Sequence, residues 1–147
     1  MKPAPRDWPR ISSSLFYTDA PKAIDWLCEA FGFEIRLKVE ADGEVQHSEL
    51  TCGDGLVMVS TAGGAGKDRP WMASPATLGG KCTQSLFMYV DDVDAHCARA
   101  RAAGAVITQE PAVSDYGEDY WSDRSYGCHD PEGHHWWFST RLRSKQS

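Results

Sequence analysis

Paired cysteines are missing: the five present (Cys28, Cys52, Cys82, Cys97 and Cys128) are odd in number, widely spaced and form no CxxC. That pattern excludes a disulfide framework and a zinc ribbon. No stretch approaches the roughly 18 apolar residues of a membrane span, and MKPAPRDWPR lacks the apolar core of a secretory leader. The expected setting is therefore the reducing cytoplasm, with no membrane partner. Basic surface is scarce too. Fifteen Lys and Arg against twenty-one Asp and Glu give a net charge of −6, and the one basic cluster is Arg141, Arg143 and Lys145. With no basic stripe to displace phosphate counterions, nucleic acid is not the expected partner. A P-loop is absent as well. GxxxxGK[ST] would need Gly and Ser or Thr where Thr61 and Asp68 flank GGAGK.

What is present is a core. Hydrophobic residues make up 41% of 147 and charged residues 24%, enough for one folded domain without a covalent staple. Residues 11–18 are β-prone, Asp19 stands where a helix cap belongs, and Pro21 falls in the first turn. Ala23, Ile24, Leu27, Cys28 and Phe31 recur at helical spacing before Gly32 stops the helix. Three extended pieces follow at 33–40, 45–52 and 56–60, separated by Asp42-Gly43 and Gly53-Asp54-Gly55.

The second half repeats that order. A strand at 85–90 leads to an acidic cap at Asp91-Asp92, a helix to about Ala103, a Gly104 stop and a strand from Ala105. With an offset of 72, Tyr17, Asp19, Ala23, Ala30 and Gly32 match Tyr89, Asp91, Ala95, Ala102 and Gly104. Equal element order together with equal cap-to-stop length argues for an internal duplication. The expectation is an α+β fold of two βαβββ modules, about 11–61 and 83–140, within one domain spanning 1–147. The Gly-, Ala- and Pro-rich linker, 62–82, is either slack or a flap carrying Arg69, Trp71 and Met72.

The duplicated pattern, the helix DAPKAIDWLCEAFGFE (19–34) and the closing DPEGHHWWF (130–138) resemble the glyoxalase/bleomycin-resistance/dioxygenase group, the vicinal oxygen chelate superfamily. HSEL (47–50) and DRSYG…DPEGHHWWF are similar to its PhnB-like subgroup. The resemblance implies cupped mixed sheets with helices on the outer face, a ligand pocket enclosed by the two modules, and a homodimer. It also implies metal ligands (His, Gln or Glu) on the first and last strands of each module. Carried over, those positions fall on Ser12, Val59, Ser85 and Trp137, none a plausible ligand for Zn²⁺, Fe²⁺ or Ni²⁺. No cofactor is therefore expected, a divalent metal being left only to positions outside these four.

Other residues could carry chemistry. His47 and Glu49 alternate on one strand and so share a face, as an acid–base pair or as a merely polar outer face. His134 and His135 are adjacent and must diverge; His135 shares its face with Trp137. Trp121, Tyr126 and Trp137 offer stacking area for a flat aromatic or cationic ligand, and Arg124 is the candidate to hold an anion if His47 or His135 acts as a base. Ser12 and Ser85 complete the expected ligand contacts. The functional expectation is a metal-free binding protein of the resistance or sequestration kind. The alternatives are a metal-dependent lyase, isomerase or dioxygenase with non-standard ligands, and a metal-free acid–base enzyme using His47 or His135.

Overall fold

In the computed structural model, which describes residues 1–63 and 69–145, the chain divides into two compact units, Met1–Gly79 and Gly80–Ser147. GGAGK and Asp68 lie largely outside the described residues. Trp71, in the linker read from sequence as either slack or a flap, is exposed, and Pro75–Thr77 form one 3₁₀ turn capped by Ser74.

In unit 1, β1 (Ser13–Tyr17) leads into α1 (Ala20–Phe31), then β2 (Glu34–Ala41), β3 (Glu44–Cys52) and β4 (Gly55–Thr61). Asp19 caps α1 by accepting from the Lys22 amide, and Gly32 ends it in the left-handed conformation. The sheet runs β1-β4-β3-β2, with β1 parallel to β4 and the other pairs antiparallel. Asp42 and Gly43, both at positive φ, make the tight turn between β2 and β3.

Unit 2 repeats this: β5 (Ser85–Tyr89), α2 (Val93–Ala102), β6 (Val106–Asp115), β7 (Ser122–His129) and β8 (His135–Arg143), in sheet order β5-β8-β7-β6. The α+β fold of two βαβββ modules is the one expected. The repeat register, however, shifts. Asp92, not Asp91, caps α2 by accepting from the Ala95 amide. The caps are thus 73 residues apart, while the glycine stops are 72 apart.

Alternation divides each sheet into a helix-side face and an open face. In unit 1, Leu15, Tyr17, Ser48, Leu50 and Val59 are buried on the α1 side, alternating with Ser14, Phe16, His47, Glu49 and Met58. In unit 2, Tyr126, Cys128, Trp136 and Phe138 are fully buried on the α2 side. Ser85, Phe87, Tyr89, Ser125, Gly127, His129, His135, Trp137 and Ser139 occupy the open face.

Candidate functional site

The open face of unit 2 carries the larger group of expected site residues. His135 lies opposite Ser85 on β5 and opposite His129 on β7. Its Nδ1 is 2.8 Å from the Ser85 hydroxyl and its Nε2 3.3 Å from that of Thr108. The His129 and Trp137 rings stand edge-on to it at 5.2 and 5.1 Å. Burial first, and the neighbouring His129 second, hold the imidazole below its ordinary pKa.

A stability prediction follows from that direction. The unfolded chain titrates His135 near 6.5, so below that value it takes up the proton before the folded chain does. Stability must fall as pH drops from about 7 toward the depressed folded value, and rise again with pH. Urea midpoints for the wild type and His135→Gln at pH 7.5, 6.5 and 5.5 should converge at the acidic end. Parallel curves would remove His135 as the cause.

The Trp137 indole packs close against β7 because its partner there is a glycine. A Cβ on Gly127 would sit 3.0 Å from Trp137 Cζ3 and 3.0 Å from Thr108 Oγ1. Gly127 has no unusual backbone conformation to serve, so the close approach of the indole is what its missing side chain allows. Farther along the same face, Phe87 and Tyr89 meet edge to face at 5.2 Å and are 55% and 51% exposed. Tyr89 donates to Asp123 (3.1 Å), and Arg141 bonds both Asp123 (2.5 Å) and the Tyr89 oxygen. The Arg141 guanidinium also lies over the rings of Tyr89 and Trp121, at 5.1 and 5.3 Å. Trp121, just before β7, is 38% exposed and touches the Tyr116 and Tyr120 rings.

Two expected contact residues are placed elsewhere. Tyr126 is fully buried on the α2 side, its hydroxyl 2.6 Å from His96 Nδ1 and its ring stacked on Phe138. Burial pushes its phenol well above the ordinary range, so it is a neutral core group. Arg124 alternates with the open face and forks onto Asp94 of α2, at 2.8 and 2.9 Å. Neither side chain shares a face with Trp137. Parity within one strand is readable from sequence, but the phase between β7 and β8 depends on pairing register.

Unit 1 brings His47 and Glu49 together on its open face, 2.8 Å apart. It also supplies a residue that sequence reasoning missed: Arg36, whose Nε and Nη2 both reach Glu49 Oε1 (2.9 and 2.8 Å). The β2–β3 register skips between Ile35 and Leu37, a bulge that sets Arg36 and Leu37 together opposite Glu49. Nothing in FEIRLKVE signals that bulge. A depression of about 520 Å³ borders Arg36 and is lined also by Trp8, Thr51 and Leu56.

The pairing also revises the four family ligand positions. Val59 is fully buried on the α1 side; the open-face residue of β4 corresponding to Trp137 is Met58, the partner of Ser14 and Glu49. Ser12, immediately before β1, falls on the same face by alternation. Its Oγ is buried without a hydrogen-bond partner among the described residues. Two hydroxyls, a thioether and an indole do not make a site for Zn²⁺, Fe²⁺ or Ni²⁺. Among the described residues, no group of three or more His, Cys, Asp or Glu side chains is placed to hold a metal ion.

A family model described as the glyoxalase/bleomycin resistance protein/dioxygenase superfamily matches residues 10–138. The crystal structure of TioX from Micromonospora sp. ML1 is similar at 36% identity, covering 91% of this chain and 99% of that one, with a TM-score of 0.69. Two more distant structures share the fold. SA1046, a hypothetical protein from S. aureus, is 18% identical over 88% of this chain and 91% of that one, with a TM-score of 0.66. The fosfomycin resistance protein FosX from Mesorhizobium loti is 16% identical over 90% and 91%, with a TM-score of 0.59. No curated protein sequence matches the chain.

Proposed function

This chain belongs to the glyoxalase/bleomycin resistance protein/dioxygenase superfamily, and from that premise we propose that it binds a small aromatic molecule without using a metal. The binding surface in this reading is the open face of the second sheet, and the role is sequestration or resistance. One observation carries it: the position that would hold a metal ligand on β8 is filled by Trp137, packed closely against Gly127. Phe87, Tyr89 and Trp121 extend the ring surface along the same unit.

Rings offer stacking area at low entropic cost, and each stacked pair contributes about 0.5–1.5 kcal/mol beyond area burial. An aromatic ligand is favoured over a cation. The Tyr89 and Trp121 faces already carry the Arg141 guanidinium, and Asp123 and Asp115 are paired with Arg141 and Arg143. The buried Ser12 hydroxyl, without a hydrogen-bond partner among the described residues, is a separate polar group on unit 1. Homodimerisation remains part of the proposal and is checked by the solution mass.

The test is tryptophan quenching with naphthalene, acridine and N-methylacridinium, alongside metal analysis of protein purified without chelator. Saturable quenching by the neutral rings is the expected result. Trp137→Leu should weaken it about tenfold, in line with the loss of one or two ring contacts. Absence of quenching by all three compounds, or quenching that requires stoichiometric metal, would overturn the reading. Gly127→Ala offers a finer check: the added methyl must lift the indole, lowering probe affinity several-fold at a stability cost of about 1–3 kcal/mol. Unchanged affinity would show that the close approach of Trp137 to Gly127 is irrelevant to binding.

A further inference from the structure

We propose that His47 is an oriented proton acceptor on the open face of the first sheet, with Glu49 and Arg36 as its positioning residues. The inference stands on unit 1 alone and is independent of the aromatic surface on unit 2.

Glu49 is buried, although its strand face is the open one. One carboxylate oxygen, Oε1, receives the Arg36 fork, and the other, Oε2, lies 2.8 Å from His47 Nε2. The His47 hydrogen bond, more than Arg36, holds this carboxyl below its ordinary range, so it is ionised near neutrality. An ionised carboxylate can only accept. In the neutral imidazole the hydrogen therefore sits on Nε2 and faces Glu49, which leaves the lone pair on Nδ1. No side-chain hydrogen bond occupies Nδ1 among the described residues, and the His47 side chain is 39% exposed.

Arg36 is itself held in place. Its Nη1 donates to the Asp7 carbonyl at 2.6 Å, and its guanidinium lies 4.8 Å under the Trp8 ring. Asp7 adopts a left-handed φ of 64°, a conformation uncommon outside glycine. The N-terminal arm and the β2 bulge thus fix Arg36, Arg36 fixes one carboxylate oxygen, and the other oxygen fixes the imidazole. A loose surface ion pair has no such chain of constraint.

The chemistry is a base awaiting a proton. A bound molecule with an acidic O–H, S–H or activated C–H would pass that proton to Nδ1, its electron pair staying on the substrate atom. The resulting imidazolium would be stabilised by Glu49 and would return the proton to product or water. Leu37 and Val39, the cross-strand partners of Glu49 and His47, are 43% and 47% exposed. The substrate class they suit is a small, mostly apolar molecule with one acidic proton.

Two measurements on the full chain test this. Long-range ¹H–¹⁵N spectra should show His47 with its proton on Nε2, and Glu49→Gln should disturb that tautomer. p-Nitrophenyl acetate probes the Nδ1 lone pair. The nitrogen attacks the acetyl carbon, p-nitrophenolate leaves, and water hydrolyses the acetylimidazole to acetate and free histidine. His47→Gln should lower the rate about tenfold, below the roughly 10²–10⁴-fold that a positioned group contributes with its own substrate. Glu49→Gln should displace the pH profile, Arg36→Ala should lower the rate, and Arg36→Lys should rescue part of that loss. Arg101→Gln, which breaks the exposed Arg101–Glu110 pair of unit 2, should leave it unchanged, and the rate assay involves no aromatic probe of the second sheet, so failure of the aromatic-binding reading would not pass for failure here. A proton found on Nδ1, or equal rates for the wild type and His47→Gln, would overturn the proposal.

Discussion

Replacing Asp130 with alanine should cost the second unit about 3–5 kcal/mol, read as a lower urea midpoint at unchanged slope. Asp130 is the aspartate of the DPEG turn and is almost wholly buried. Its Oδ1 accepts from the amides of Glu132 (3.2 Å) and His134 (3.0 Å), and its Oδ2 from Trp136 Nε1 (3.1 Å). Alanine would leave three donors without that acceptor. The indole suffers most, because Trp136 is fully buried. Asparagine keeps one oxygen for the two amides but turns an NH₂ toward the indole N–H, so Asp130→Asn should fall between the two. The control is Trp136→Phe, which removes the indole donor; combined with Asp130→Ala it should cost less than the sum of the single changes. An Asp130→Ala protein within about 0.5 kcal/mol of the wild type would show that the turn does not anchor the strand.

Asp130 also illustrates which parts of the fold were legible. The turn and the helix boundaries carry their chemistry in short local signals: an aspartate accepting from amides two to four residues on, a glycine at positive φ, a proline in a first turn. Asp19, Pro21, Gly32 and Gly104 could be read for that reason, and with them the duplication. The repeat offset was harder. Both Asp91 and Asp92 can cap a helix, and only the geometry that brings Asp92 to the Ala95 amide selects the second.

The candidate site was legible only within single strands. His47 with Glu49, and His135 with Trp137, follow from alternation alone. Across strands, register decides, and it placed Tyr126 and Arg124 with α2 and Val59 under α1. The bulge at Arg36 leaves no local trace, since any residue tolerates that position. Gly127 did leave one: a glycine inside a strand that ends a tyrosine-rich segment marks close approach of another group, here Trp137.

The second large effect is expected at Arg141. Arg141→Ala should destabilise the chain by about 2–4 kcal/mol, because it strands a buried carboxylate. Asp123 is 5% exposed and depends on Arg141 for its charge partner, with the Tyr89 hydroxyl as a second donor at 3.1 Å. The full cost of breaking a buried pair is not reached, since the Arg141 side chain is about one-third exposed and water can enter where it stood. Asp123→Asn should cost less, and pairing it with Arg141→Met should recover stability by removing the unpaired charge together with its partner. The same change has a second readout. Arg141 lies over both Tyr89 and Trp121, so its loss frees two ring faces. If those faces are where an aromatic or cationic probe stacks, Arg141→Met should quench more strongly with N-methylacridinium than the wild type does, while naphthalene changes little. Equal response to the cation before and after the substitution would place the probe on Trp137 alone, away from the Arg141 end of the sheet.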